Sequence, residues 1–367
     1  MLLRQGFTRF GHHLPCFAGA KLNDALRRPA YVNTVTRKTH KRLYMLYILK
    51  RLTISMMLLI VMGFFTFWLI RATPGSFFDE LKLNPQIAPE TITRYENLYH
   101  VHDPILMQYG YWLINALKGD FGYSFYYNVP VSYVIGSRLF NTFLLSIVTI
   151  VVTWLIAIPL GVMAALHANR WLDRLLALSA QFAFGTPSFF LAIILLYIAS
   201  QWGVLPLGGM HSNEAEHLSM IGKIGDVALH LIIPVIVLSV ASIGSLQRIM
   251  RGNLLGELNK PYILAARARG LSERAVIFKH ALRNAFNPLI TLLGFEFAGL
   301  LSGAALVEII VAWPGLGTLM LTAVRSKDIY VVMTSFMMAG GMLLIGNLLA
   351  DLLLTLLDPR VRDAKRR

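Results

Sequence analysis

The sequence predicts an all-α, polytopic membrane protein with six transmembrane helices and both termini cytoplasmic. Three observations carry that reading. The 367-residue chain is 56% apolar and only 14% charged, with a mean hydropathy of +0.59, whereas soluble domains average about a quarter charged residues. Its apolar residues fall in six long blocks, each close to the roughly 20 residues that cross a hydrocarbon core. Its Lys and Arg gather between alternate blocks. Disorder is excluded because such a chain must bury its apolar surface. A disulfide scaffold is excluded because Cys16 is the only cysteine.

The blocks run Leu52 to Ile70, Phe140 to Leu166, Leu175 to Trp202, Val227 to Gln247, Pro288 to Val311 and Tyr330 to Leu357. The first four hold no Asp, Glu, Lys or Arg; the fifth holds Glu296 and Glu308, the sixth Asp351. One such block could be a buried helix of a soluble protein. Six, with little other sequence to surround them, cannot. Twenty-six Lys and Arg fall before span one, between two and three, between four and five, and after six, against eight on the opposite side. The positive-inside rule places both termini in the cytoplasm. The same rule accounts for the net charge of +15, and with no basic-aromatic module to read bases, no nucleic-acid partner is expected.

Around the spans the chain divides into a basic N-terminal tail (1–44), the transmembrane domain (45–362) and a short basic C-terminal tail (363–367). Residues 1–51 carry eleven bases and one acid, Asp24. They superficially resemble a transit peptide but lack an adjacent small-residue cleavage site. The adjacent His12 and His13 are too few to define a metal site, and none is expected. In the first outer loop, Ala72 to Leu139, the stretches Ala88-Pro89-Glu90-Thr91 and Tyr109-Gly110-Tyr111-Trp112 predict short helices against the membrane surface.

No phosphate-cradling Gly-x-x-x-x-Gly-Lys-Ser/Thr loop, zinc-helix motif or serine elbow occurs in the sequence. The carboxylates of the spans are the only acid candidates, because an ionisable group within a membrane span is a functional hypothesis by default. The cytoplasmic segment 248–287 is more informative. Tyr262 to Arg269 predicts a short helix, Gly270 its left-handed cap with Leu271 beyond, and Ser272 with Glu273 the start of a second helix, Arg274 to Phe286. That second helix is read with Ala275, Phe278 and Leu282 as its apolar face and Arg274, Lys279 and Arg283 as its basic face. A bend with two apolar faces suits docking in a protein groove; a single amphipathic helix lying on a membrane would share the composition.

Lys260-Pro261-Tyr262-Ile263-Leu264-Ala265-Ala266-Arg267-Ala268-Arg269-Gly270-Leu271, followed by His280-Ala281-Leu282-Arg283-Asn284-Ala285 and Pro288, resembles the coupling loop of ABC importer permeases of the dipeptide, oligopeptide and nickel branch. Ala72-Thr73-Pro74-Gly75, Asp103-Pro104, Gln108-Tyr109, Trp112-Leu113 and Gly119-Asp120-Phe121-Gly122-Tyr123-Ser124 are similar to that branch as well. So are Val307-Glu308-Ile309-Ile310, Trp313-Pro314-Gly315-Leu316-Gly317 and Leu357-Asp358-Pro359-Arg360. The resemblance covers about residues 45–362. Leu264 stands where the wider superfamily has a glutamate, and residues 1–41 have no counterpart.

The resemblance implies a type I importer permease in the bacterial inner (cytoplasmic) membrane, not an enzyme, forming half of a pathway for di- or oligopeptides. Nickel or another small solute is the alternative cargo; a membrane-embedded enzyme using Glu296 or Glu308, or a self-sufficient channel, is the alternative class. Implied partners are a second permease, two cytoplasmic ATP-binding subunits that hold the ATP and Mg, a periplasmic or lipid-anchored binding protein, and membrane lipid; this chain needs no cofactor of its own. Tyr262, Ala265, Ala266, Arg267, Ala268, Arg269, Gly270, Leu271, His280, Arg283 and Asn284 are the expected ATPase-coupling residues. Glu296, Glu308, Trp313, Pro314, Gly315 and Gly317 are the gate or translocation candidates. Pro159-Leu160-Gly161, Gly185-Thr186-Pro187, Pro234, Gly299 and Gly303 are expected to kink or closely pack the spans.

Overall fold

The computed structural model describes residues 29–75, 82, 88–98 and 102–357. Cys16, His12, His13 and the Asp358-Pro359-Arg360 motif lie outside the described residues. The chain divides into two units, Met1–Leu58 and Leu59–Arg367. Of the first, the described residues are helical, as the start of α1 (Pro29–Ala72).

Among the described residues of the second unit, the regular elements are helices and one small hairpin. After α1 come two short helices, α2 (Pro89–Leu98) and α3 (Ile105–Leu117), at the two stretches expected from sequence. A hairpin of β1 (Tyr123–Ser124) and β2 (Val129–Pro130) follows, antiparallel with Tyr123 opposite Pro130. Then come α4 (Val131–Leu166), α5 (Trp171–Gly185), α6 (Ser188–Trp202) and α7 (Met220–Leu258). A short helix α8 (Pro261–Ala268), a π-helical turn (Ala275–Ala281) and α9 (Leu282–Ala285) lead into α10 (Asn287–Ile310), α11 (Leu316–Arg325) and α12 (Ile329–Leu357).

Four helical stretches among the described residues are long and apolar enough to cross a membrane: Leu49–Ala72, Val131–Leu166, Met220–Leu258 and Ile329–Leu348. The pair α5 and α6 makes a fifth if it is one broken span. Residues 175–202, read from sequence as a single block, are two helices bent by 97°. Pro187 supplies the cause. It has no N–H to continue the ladder and disfavours a helical residue before it, and Thr186 is extended (φ −85°, ψ 119°).

Helix α7 is the hub, packed against α4 most extensively and also against α5, α6 and α10. Small residues set that closeness. A Cβ on Gly161 of α4 would sit 2.7 Å from Met250 Cβ and 2.8 Å from the Gln247 carbonyl. One on Gly244 of α7 would sit 2.5 Å from the Ala180 carbonyl of α5. Without a hydrophobic drive between helices in lipid, such close approach is what holds a bundle together. Polar clamps add to it at the end of α5: Arg251 donates from Nε and Nη2 to Asp173 at 2.6 and 2.7 Å, and Gln247 Nε2 donates to the Leu176 carbonyl at 2.9 Å. Pro159 and Pro234 lie inside α4 and α7 without ending either.

Candidate functional site

The segment after α7 folds as an elbow. Extended Lys260 and Pro261 at the first helical position start α8, where the missing proline N–H costs nothing. Helix α8 turns Ile263 and Ala266 inward, 0% and 1% exposed, onto Met250, Leu254, Val276, Ala281, Ala285 and Leu289. Gly270 then adopts φ +80°, the left-handed conformation glycine reaches without penalty. Its N–H bonds the Arg267 carbonyl at 2.9 Å and the Leu271 N–H bonds the Ala266 carbonyl at 3.4 Å. Those two bonds form the Schellman closure that the glycine predicts. Ser272 Oγ accepts from the Ala275 N–H at 3.4 Å, starting the second arm.

The second arm differs from its sequence reading. Residues 275–281 are π-helical, and the inward side chains are Val276, Ile277, Ala281 and Ala285, leaving Phe278 58% exposed. An α-helical turn would align Val276 with His280, which is more polar. The i→i+5 turn aligns Val276 with Ala281 instead, so two apolar groups face the core. Of the expected apolar face, Leu282 does pack against this cluster and Ala275 is half-buried, whereas Phe278 points outward.

Two polar clasps hold the arms. The Tyr262 hydroxyl donates to Glu257 Oε2 at 2.6 Å and accepts from Asn284 Nδ2 at 2.8 Å, joining α7, α8 and α9. Arg267 donates from Nη2 and Nε to the two oxygens of Glu273, at 2.6 and 3.1 Å, across the Gly270 turn. The hydrogen bond with Glu273 raises the Arg267 guanidinium above its ordinary value, and the same bond holds the Glu273 carboxyl below the usual carboxylate range. Glu257 and Glu273 are the only acids between 248 and 287, and both are engaged within the elbow. Its outward face therefore carries Leu264 (57% exposed), Leu271 and Phe278, with Ala265 and Ala268, among exposed Arg269, Arg274, Lys279 and Arg283. His280 is half-buried.

The gate candidates lie in two other places. At the top of α10, Glu308 is fully buried and accepts from the Thr142 hydroxyl at 2.7 Å and the Gly317 N–H at 2.7 Å. Thr142 Oγ1 in turn accepts from the Leu316 N–H at 2.8 Å. Glu308 thus caps α11 from nine residues upstream, where a carboxylate complements the helix dipole. Trp313, fully buried, donates from Nε1 to the Asn141 carbonyl at 3.2 Å, and Asn141 Nδ2 donates to the Pro314 carbonyl at 2.8 Å. Both glycines leave room for close neighbours: a Cβ on Gly315 would fall 2.1 Å from a Glu308 oxygen, and one on Gly317 would fall 2.5 Å from Ala305 Cα and 2.8 Å from the other Glu308 oxygen. Glu308, Trp313, Pro314, Gly315 and Gly317 therefore meet in one corner with α4. Glu296 lies apart from them, half-buried, accepting from Trp154 Nε1 at 2.6 Å.

One residue that the sequence did not single out, Asp328, holds the hairpin to the bundle. Asp328, 0% exposed, accepts from Ser124 Oγ at 2.6 Å and the Tyr126 N–H at 3.1 Å, pinning the hairpin to the start of α12. Burial pushes its carboxyl up, and the Ser124 bond opposes that. Trp112 Nε1 donates to the Phe121 carbonyl at 3.1 Å, and the Tyr109 hydroxyl to the Ile60 carbonyl at 2.6 Å. The Asn141-Thr142 pair at the head of an apolar block was the signal available for the corner. Asp328, alone in a loop, gave none.

Residues 157–363 match the family described as binding-protein-dependent transport system inner membrane component. The chain belongs to that family. It is 35% identical over 317 residues to the oligopeptide transport system permease protein AppB of Bacillus subtilis, covering 86% of this chain and 98% of the relative. It is 32% identical to the oligopeptide permease OppB of Haemophilus influenzae, covering 86% and 99%. It is also 32% identical to the metal-staphylopine import system permease protein CntB of Staphylococcus aureus, covering 87% and 99%. This permease is a membrane subunit of an ABC importer and not an enzyme; ATP hydrolysis belongs to a separate subunit. As a family, such permeases work with ATPase and substrate-binding partners.

Proposed function

We propose that this permease forms half of a translocation pathway for di- or oligopeptides, paired with a second permease and driven through its elbow by two cytoplasmic ATPases. The observation that carries the reading is the division of labour within the elbow. Its backbone and both its acids are locked internally, while apolar and cationic side chains face outward. Such a face fits an apolar groove rimmed by carboxylates on a partner. Six spans, counting α5 with α6 as one and α10 as another, and a cytoplasmic location for both termini, put the elbow on the ATPase side. ATP and Mg belong to those partners, and a periplasmic or lipid-anchored binding protein delivers the solute.

A chain without a nucleotide loop changes state only if a partner binds two of its states differently. Moving a two-state equilibrium from 1:99 to 99:1 takes about 5.5 kcal/mol of differential binding. A rigid elbow can transmit that; a frayed one would dissipate it in local unfolding. The glutamate of the wider superfamily, replaced by Leu264, is consistent with a more apolar seat.

The test is uptake of labelled di- and oligopeptides by a strain deleted for this gene and complemented with the wild type or with Leu264→Asp/Phe278→Asp. Peptide uptake restored only by the wild type supports the proposal. The relative named for metal-staphylopine import favours a second reading, a metal chelate as cargo. Uptake of chelated nickel with no peptide uptake would replace the first reading by the second. Restored uptake by the double variant would remove the docking role.

A further inference from the structure

Four buried hydroxyls among the described residues have no hydrogen-bond partner: Ser146, Thr149 and Thr153 of α4, and Ser335 of α12, a helix that packs on α4. All are 0% or 1% exposed. Elsewhere in this protein helical hydroxyls turn back to their own helix, as Thr66 does to Met62 at 2.9 Å, Thr322 to Thr318 at 3.0 Å and Thr334 to Tyr330 at 2.7 Å. Those three on α4 do not. At 100° per residue, Ser146, Thr149 and Thr153 lie with Thr142 within an arc of about 60° and extend over roughly 16 Å of helix axis. Thr142 at the head of the column is satisfied by Glu308. Below it the three hydroxyls make no hydrogen bond in this arrangement.

Sealing a hydroxyl in an apolar seam without an acceptor is costly. Three in line on one helix face is a repeated cost in the same direction, and it favours any arrangement of the bundle that gives those groups water or a polar solute. A permease of this family has to pass between at least two arrangements.

We propose that Ser146, Thr149 and Thr153 line the solute pathway in a second arrangement, in which the seam occupied by this face of α4 opens and its hydroxyls hydrogen-bond water and the amide groups of a peptide-like solute. In the arrangement described here the seam is closed. The column is a specificity-determining surface as well as a bias toward opening, since hydroxyls accept and donate to amides without the tight capture a charge would impose. This rests on membership of the permease family and not on how the elbow docks.

The test begins from Cys16→Ser, which leaves the chain without cysteine. Single Ser146→Cys, Thr149→Cys and Thr153→Cys variants are assembled with their partner subunits in membrane vesicles and treated with a water-soluble, membrane-impermeant thiol reagent. Labelling is compared in the resting state and after trapping with ATP and vanadate. At least a fivefold difference between the two states at Thr149→Cys and Thr153→Cys is expected, while Tyr133→Cys, at an 82% exposed position, labels in both. Equal labelling in the two states, or none in either, overturns the proposal. A second arm keeps it falsifiable if a cysteine variant misfolds. Thr149→Val/Thr153→Val should reduce solute uptake at least tenfold while raising the thermal unfolding temperature of the purified assembly, and Thr149→Ser/Thr153→Ser should restore uptake. Normal uptake by the valine variant shows that the hydroxyls are merely tolerated.

Discussion

The Glu308 corner and the Gly270 elbow are built from the same materials to opposite ends. In the corner every carboxylate is turned inward: Glu308 onto Thr142 and the start of α11, Asp328 onto Ser124 and the hairpin. Its large aromatic, Trp313, is fully buried. In the elbow the carboxylates also bond within the chain, but Leu264, Leu271 and Phe278 are left outward among arginines and a lysine. A surface finished by its own chain has a structural role; one whose polar bonds are complete and whose apolar groups are not suits the docking role proposed above. Substitutions should therefore split into those that lose the protein and those that lose only its drive.

The largest effect belongs to the corner. Gly315→Ala places a methyl on the Glu308 carboxylate, whose bonds leave it nowhere to go, and Glu308→Ala strands the Thr142 hydroxyl and the Gly317 N–H. Each should cost about 3 kcal/mol, read as a lower unfolding temperature of the purified protein and less of it in the membrane. Glu308→Gln, which keeps one acceptor oxygen, should cost less. Loss of uptake in either variant with unchanged stability would move Glu308 from the frame to the gate.

Next comes the elbow surface. Leu264→Asp/Phe278→Asp should leave stability within about 0.5 kcal/mol, as exposed substitutions do, yet cut stimulated ATPase and uptake more than tenfold. Gly270→Val sits between the two classes. Nothing crowds its Cβ, but φ +80° strains a β-branched residue by at least about 1–2 kcal/mol. Coupling should fall several-fold with insertion intact, whereas a neutral Gly270→Val would mean that the turn need not be rigid.

How far these two regions could be read in advance depended on whether their signals were local. The Gly270 cap, the Ser272 start and the short helices α2 and α3 came through because a cap or a proline acts on its immediate neighbours. The break at Thr186–Pro187 was visible as a proline but not as a 97° bend, since a proline marks where a helix ends and not the angle at which the next one starts. The apolar face of the second arm was read correctly at Leu282 but not at Phe278, because a π turn changes the period that face is counted with. The corner was half legible: Glu308 was singled out with the Trp313–Gly317 stretch, but its partner Thr142, 166 residues away, looks like a stray polar group until the fold joins them. Residues singled out as gate candidates thus split, with Glu308, Trp313, Pro314, Gly315 and Gly317 in one corner and Glu296 elsewhere.

The smallest effect is the one that most sharpens the contrast, because the two regions should respond to acid with opposite signs. Glu273 has its carboxyl held below the usual range by Arg267. A depressed folded value means its contribution is present at neutral pH and is lost as the pH falls through that value. Asp328 is the reverse: burial raises it, so its contribution is fullest at low pH and is lost as the pH rises through the raised value. Between pH 7 and pH 4, hydrogen exchange corrected for intrinsic rates should therefore show the Gly270 and Leu271 amides opening more readily and the Tyr126 and Val331 amides less. Glu273→Gln should abolish the first trend and leave the second, because the two carboxylates belong to separate networks. Movement of both sets of amides in the same direction would show that corner and elbow open as one unit, and the division between frame and drive would no longer stand.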